Sequence, residues 1–171
     1  RVGYPVVAKV SAPSVVHKSD VGGVLLDLAD EAAVRAAFAR LQRPDAEGVN
    51  IQKMLERGRE VVLGFTQDPA YGPLLMFGLG GIYVEVLKDV SFALCPVSDV
   101  RAHELLREIR GWPILAGVRG QAAIDEAALI DVIQRLSQLA VDHPRIAELE
   151  INPLLAYASG VCAVDMRVRV S

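Results

Sequence analysis

The sequence predicts an α/β chain of the α+β kind, with largely antiparallel sheets flanked by helices. Three observations carry that expectation. Short β-branched runs recur along the chain, several separated only by Gly-, Pro- or Asp-containing turns, the connections that antiparallel neighbours use. Asp30, Ser98 and Asp125 each precede a stretch with apolar residues at helical spacing, so each reads as a helix cap. Residues 148–154 and 161–170 flank Ser159-Gly160 and read as a hairpin.

The elements follow in order. Residues 5–10 form a β-branched strand that Lys9 interrupts. A lysine in a buried strand is costly unless its charge is met. It either snorkels to the surface or points at phosphate as a cation. Residues 11–23, SAPSVVHKSDVGG, are too polar and aperiodic for a helix and read as a loop. Gly22 and Gly23 let a backbone approach a ligand closely, and successive amides there can cradle phosphate oxygens. His17 and Lys18 share this loop; for a surface histidine, plain solvation is the competing account. Residues 24–28 read as a strand, and Asp30 caps a helix to Leu41 with Val34, Ala37, Phe38 and Leu41 on its core face.

A charged link over 43–48 leads to strands at 48–55 and 60–66. Asp68-Pro69 and Tyr71-Gly72-Pro73 make a turn, and 74–77, 82–87 and 90–94 are further strands of an antiparallel meander. Glu85 and Asp89, close to Gly78-Leu79-Gly80-Gly81, read as turn and surface polarity. Ser98 starts a helix ending near Gly111, with Ala102, Leu105, Leu106 and Ile109 inward. Residues 112–120 read as a loop in which Gly117 and Gly120 bracket Arg119; this suits a guanidinium over an anion, and equally a plain loop. Asp125 begins a long amphipathic helix with Leu129, Val132, Ile133, Leu136, Leu139 and Ala140 on one side.

The hairpin carries the chemistry. With a two-residue Ser159-Gly160 turn, Leu154 faces Asp165, and the period of two places Glu150, Asn152 and Asp165 on one face. Asn152 and Asp165 are then diagonal neighbours about 7–8 Å apart. Two carboxylates and an amide oxygen, with no His or Cys beside them, suit magnesium, which commonly shares its shell with substrate phosphates. A solvated polar face is the plain alternative. A three-residue turn would send Asp165 to the other face, and Pro153 can distort the ladder.

Composition narrows the class. At 171 residues, 52% hydrophobic and 23% charged, the chain can bury a sizeable core and is not a disordered one. A net charge of −3 argues against a general nucleic-acid or membrane surface. No apolar run reaches the roughly 18 residues of a membrane span, and no signal-peptide pattern opens the chain. Cys95 and Cys162 lie in apolar strand-like surroundings, so we expect buried, reduced thiols and a cytoplasmic location. Arg1-Val2-Gly3-Tyr4-Pro5 runs straight into a strand, which reads as a piece of a longer polypeptide.

PVVAKV, HKSDVGGV, GLGGIYVEVLKDVSF, GVRG, ELEINPL and Val164-Asp165 follow one another in that order. Together they resemble the ATP-grasp domain of the NDP-forming (ADP-forming) acyl-CoA synthetases, relatives of succinyl-CoA synthetase, across nearly the whole chain. The resemblance implies an ATP-grasp fold of two subdomains: about 1–52 covering the nucleotide, and about 53–171 holding the metal. A further segment normally precedes the first lysine strand. It implies ATP/ADP and Mg as cofactors, and CoA-binding and ligase domains in the same chain or a partner subunit. It also implies roles. Lys9 contacts nucleotide phosphates and Gly22-Gly23 cover them. Gln52, Lys53, Met54 and Leu55 lie near adenine and Glu60 near the ribose. Glu150, Asn152 and Asp165 hold magnesium, Arg119 assists at the phosphates, and His17 relays a phosphoryl group. The implied reaction interconverts acyl-CoA, ADP and phosphate with carboxylic acid, CoA and ATP. A second reading is a degenerate ATP-grasp scaffold of an acyl-CoA-synthetase-like protein acetyltransferase; the intact Asn152 and complete HKSDVGG argue for activity instead. A third, an α/β interaction domain without nucleotide, must treat the ordered motifs as coincidence.

Overall fold

β-Branched runs set the strands of the computed structural model, which describes residues 2–12, 22–81 and 87–171. The chain divides into two units, Arg1–Glu56 and Arg57–Ser171. In the first, β1 (Val6–Ser11) lies between β2 (Val24–Leu28) and β3 (Gly48–Lys53), antiparallel to both. Helix α1 (Glu31–Leu41) begins where Asp30 accepts the Ala33 N–H at 2.8 Å. Ala37 and Leu41 pack on Ala8, Leu25, Leu28 and Val49. Phe38, expected inward, is 45% exposed, and Ala37 and Leu41 are the buried residues of α1. Strand alternation places Lys9 on the face of β1 away from Ala8 and α1. It is 8% exposed, so the snorkelling account fails.

The second unit is a six-stranded sheet in the order β6-β5-β4-β7-β8, with β9 also paired to β7. Its strands are β4 (Arg59–Asp68), β5 (Gly72–Leu79), β6 (Val90–Leu94), β7 (Ile146–Ala156), β8 (Val161–Ala163) and β9 (Met166–Val170). β4 and β5 pair across the expected turn, and β6 pairs antiparallel with β5 rather than with a strand at 82–87. Of the strand expected over 82–87 only Leu87 is described, and it is helical; β5 pairs directly with β6. A short apolar run does not distinguish strand from helix by periodicity. Helices α2 (Asp99–Glu108) and α4 (Glu126–Asp142) start at Ser98 and Asp125 and cover one face of the sheet. Val61, Leu63, Phe65, Leu75, Phe77, Leu149 and Ile151 meet Leu105, Leu106, Leu129 and Ile133 there. Part of the expected loop at 112–120 is a short helix, α3 (Trp112–Ala116), because Pro113 is preorganised for a first turn.

Asp89 is a correction of a different kind. It is 6% exposed, and its carboxylate accepts the Arg110 and Gly111 N–H groups at 2.8 and 2.6 Å, tying the start of β6 to the end of α2. A buried carboxylate persists where donors meet it. A Cβ on Gly111 would lie 2.2 Å from Leu79 Cδ1 and 3.0 Å from Asp89 Oδ2, so a larger residue there would have to displace Leu79 and Asp89. Cys95 and Cys162 are free thiols, half-buried rather than buried. Burial pushes the Cys95 thiol up, against hydrogen bonds to Ser137 and Leu75, and keeps it protonated. No helix among the described residues is long and apolar enough to cross a membrane.

Candidate functional site

The face of the larger sheet away from α2 and α4 is polar at its β7–β9 end. Glu148, Glu150 and Asn152 alternate along β7 with core-facing Leu149 and Ile151. The ladder from β4 to β7 pairs Leu63 with Ile151 and Val61 with Leu154, so Asn152 and Pro153 together oppose Val62. This is a β-bulge, the device that re-aims side chains beside sites. Pro153 has no N–H for the ladder but accepts the Val164 N–H at 3.1 Å. The second arm, expected as one strand over 161–170, accordingly breaks into β8 and β9 at Val164-Asp165.

The register differs from the expected one by two residues. Ala156 pairs with Val161, leaving a four-residue turn at 157–160 in place of the two-residue Ser159-Gly160 turn. Ile151 pairs with Met166 and Leu154 with Ala163, which carries Asn152 directly opposite Asp165. The Asn152 N–H donates to the Asp165 carbonyl at 3.1 Å. A shift of two preserves the face, so Glu150, Asn152 and Asp165 still share one, with the Asn152–Asp165 pair facing rather than diagonal.

The donor chemistry fits a hard cation. Asn152 Nδ2 donates to Glu150 Oε1 at 3.0 Å, so the acceptor that this amide presents is its oxygen. Among the described residues no three His, Cys, Asp or Glu side chains cluster closely enough to hold a metal. Two carboxylates and one amide oxygen are donor types that suit magnesium, whose shell water and phosphate oxygens commonly complete. Arg167, which the sequence reading passed over, lies opposite Glu150, while Arg169 meets Glu148 at 3.3 Å. The matched acid–base alternation of β7 and β9 was the available signal.

Asp125 is the second residue that the reading undervalued. Its Oδ1 accepts the Ala128 N–H at 3.0 Å, as a helix cap does, and its Oδ2 accepts the Gly160 N–H at 2.8 Å. The Ala128 and then the Gly160 donors hold its carboxyl below the ordinary aspartate range. The native state therefore favours the ionised form. Its contribution to stability is full above the ordinary aspartate pKa and is lost as pH falls through the lowered one. Asp125→Ser is expected to flatten the acid limb of a melting-temperature profile; an unchanged limb would refute that assignment.

The other expected residues fall into separate groups. Gln52 pairs with Val7 and so shares the Lys9 face of the smaller sheet, whereas Lys53 pairs with Val6 on the α1 face. Met54 follows β3, its N–H donating to the Pro5 carbonyl at 3.1 Å, and Leu55 lies just beyond. Gly22 has φ +66, and a Cβ built there meets nothing within 4 Å; the Gly23 carbonyl accepts from Val10 at 2.8 Å. The Glu60 carboxylate lies against Gly81, where a Cβ would come within 2.6 Å of Oε2. Arg119, at φ +52, is exposed in a turn that Arg59 ties down through Gln121 at 3.3 Å. His17, Lys18, Asp20 and Glu85 lie outside the described residues.

A family model described as "ATP-grasp domain" matches residues 1–170. The chain is 47% identical over 176 residues to the beta subunit of acetate–CoA ligase [ADP-forming] I of Pyrococcus furiosus, covering 98% of this chain and 76% of that one. It is 45% identical over 174 residues to acetate–CoA ligase [ADP-forming] I of Archaeoglobus fulgidus, covering 98% of this chain but only 25% of that protein. The chain thus spans about a quarter of the length of such single-chain relatives. Among solved structures it is similar to the dinucleotide-forming acetyl-coenzyme A synthetase 1 of Ca. Korarchaeum cryptofilum in complex with coenzyme A and Ca-AMPCP. That match has a TM-score of 0.94 and 39% identity, covering 99% of this chain and 78% of that one. A second structure of that synthetase contains Mg-AMPPCP and a phosphohistidine segment pointing towards the nucleotide-binding site. There the TM-score is 0.89 at 38% identity, covering 99% of this chain and 78% of that one.

Proposed function

This chain belongs to the ATP-grasp domain family, within the ADP-forming acyl-CoA synthetases, and from that premise we propose that it is the part of such an enzyme that binds ATP/ADP and moves the phosphoryl group. The observation that carries the proposal is the register of a bulged hairpin that sets Asn152, hydrogen-bonded to Glu150, opposite Asp165. The nucleotide and metal named for the Korarchaeum synthetase support the ligand class. The remaining chemistry belongs to CoA-binding and ligase domains in the same polypeptide or a partner subunit: phosphate displaces CoA from acyl-CoA to give an acyl phosphate, and a histidine of those domains takes its phosphoryl group and releases the carboxylic acid. The two free thiols accord with a cytoplasmic enzyme.

Each residue has a part. Glu150, Asn152 and Asp165 hold magnesium, which when bound neutralises charge on the phosphate oxygens. Lys9 supplies a cation at the phosphates, and the Gly22-Gly23 amides cover them. Gln52, Lys53, Met54 and Leu55 frame adenine, Glu60 takes the ribose, and Arg119 meets phosphate oxygens. His17 relays the phosphoryl group: as ATP forms, the N–P bond of phosphohistidine breaks while a terminal oxygen of ADP bonds to phosphorus. In reverse, the neutral imidazole is the nucleophile, and Asp20 orients it.

The test uses the full-length enzyme. Incubation with labelled Mg-ATP should place label on His17 by mass spectrometry, and His17→Ala should lose both label and turnover. Label elsewhere together with turnover by His17→Ala would sink the relay.

A further inference from the structure

The register that brings Asp165 opposite Asn152 is weakly determined by the hairpin itself. A two-residue slip keeps every side chain on its own face, so burial does not oppose it. It would move Asp165 opposite Leu154 and separate the donors. β8 is only three residues long, and the Arg169 of β9 that meets Glu148 would face Glu150 after the slip, so acid–base pairing along β9 does little to oppose it. What distinguishes the two registers is the turn, four residues in the structure rather than two.

That turn is closed by Tyr157 N–H to the Gly160 carbonyl at 3.1 Å, and Gly160 sits at φ +80. Its first and last residues are both held from outside, by one residue. The Asp125 N–H donates to the Tyr157 carbonyl at 2.7 Å, and Asp125 Oδ2 accepts the Gly160 N–H at 2.8 Å. Capping alone does not need this. Asp30 caps α1 with Oδ1, and Ser98 caps α2 with a single hydroxyl. Asp125 spends one oxygen on its own helix and sends the other to a turn 35 residues away. Helix α4 is a firm base for this, with Leu129, Ile130, Ile133, Leu136, Ser137 and Ala140 buried.

We infer that Asp125 is a positioning residue for the cation site: it anchors the 157–160 turn to the N-terminus of α4 and so selects the register that joins Asp165 to Asn152 and Glu150. The inference rests on the cation reading of those three residues. Asp125 touches no reacting atom in this account; it acts through the hairpin.

The test is the dissociation constant for Mn2+, read by electron paramagnetic resonance on the full-length protein. Asp125→Ser keeps a good capping oxygen but loses the second acceptor. It is expected to weaken Mn2+ binding roughly 10–100-fold, the range for residues that orient metal ligands. Exchange of the Gly160 amide hydrogen should quicken with it. Asp125→Asn, which offers Gly160 an amide donor if Oδ1 keeps the cap, should behave alike and guards against a folding failure in one variant. Ser98→Ala removes a cap without touching the hairpin and should leave the Mn2+ constant unchanged. If Asp165→Asn loses Mn2+ while both Asp125 variants bind it as wild type does, Asp125 is only a cap and the inference falls. If wild type and Asp165→Asn bind Mn2+ alike, the cation reading falls, and this inference with it.

Discussion

Asp165→Asn in the full-length enzyme is expected to lower phosphoryl-transfer turnover by at least about 100-fold. Residues that merely orient metal ligands already change metal affinity or activity by about 10–100-fold, so a charged ligand belongs at or above the top of that range. The substitution keeps the shape. An asparagine oxygen can still accept the Met166 N–H, which Asp165 Oδ1 now takes at 3.1 Å, and the backbone carbonyl still accepts from Asn152. The melting temperature without ligand should therefore move little, whereas the rise produced by millimolar Mg-ATP should disappear. In the wild type that rise follows from mass action, about 2.7 kcal/mol at 100 times the dissociation constant. Undiminished turnover in Asp165→Asn would show that the facing carboxylate and amide are only a solvated polar pair.

Phe77→Ala should be the most destabilising single truncation considered. Phe77 is fully buried on β5, with Leu63 and Leu105 among its companions in the core. Removing a buried phenylalanine costs about 3–5 kcal/mol, a large share of the roughly 5–15 kcal/mol that holds a domain together. Phe92→Ala is the matched control. Phe92 lies one strand away, opposite Met76 on the face away from α2 and α4, and is 48% exposed. Its loss should amount to about 1 kcal/mol or less. Denaturant midpoints at unchanged slope would measure both. Equal losses would mean that the two faces of the sheet have been assigned wrongly.

Much of this molecule was legible locally. Asp30, Ser98 and Asp125 announce their helices because a cap is a bond between residues three apart, which a sequence displays directly. The pairing of β4 with β5 was legible for a similar reason: their turn is short and rich in Gly, Pro and Asp. The shared face of Glu150, Asn152 and Asp165 was also readable, since alternation survives a two-residue error in register.

Other features depend on contacts distant in sequence. That β5 takes β6 as its direct neighbour is not visible in either strand's own pattern. Asp89 is a buried anchor because the end of α2, more than twenty residues on, brings two N–H groups to it. The burial of Lys9 is likewise absent from its own strand's pattern. The sequence by itself determined the three capped helices, most of the strands and which donors share a face, because propensity, capping and alternation act over a few residues. Only the tertiary structure decided that Asn152 faces Asp165. That pairing depends on the length of a turn held by Asp125 on another element, and no local signal reports so distant a bond.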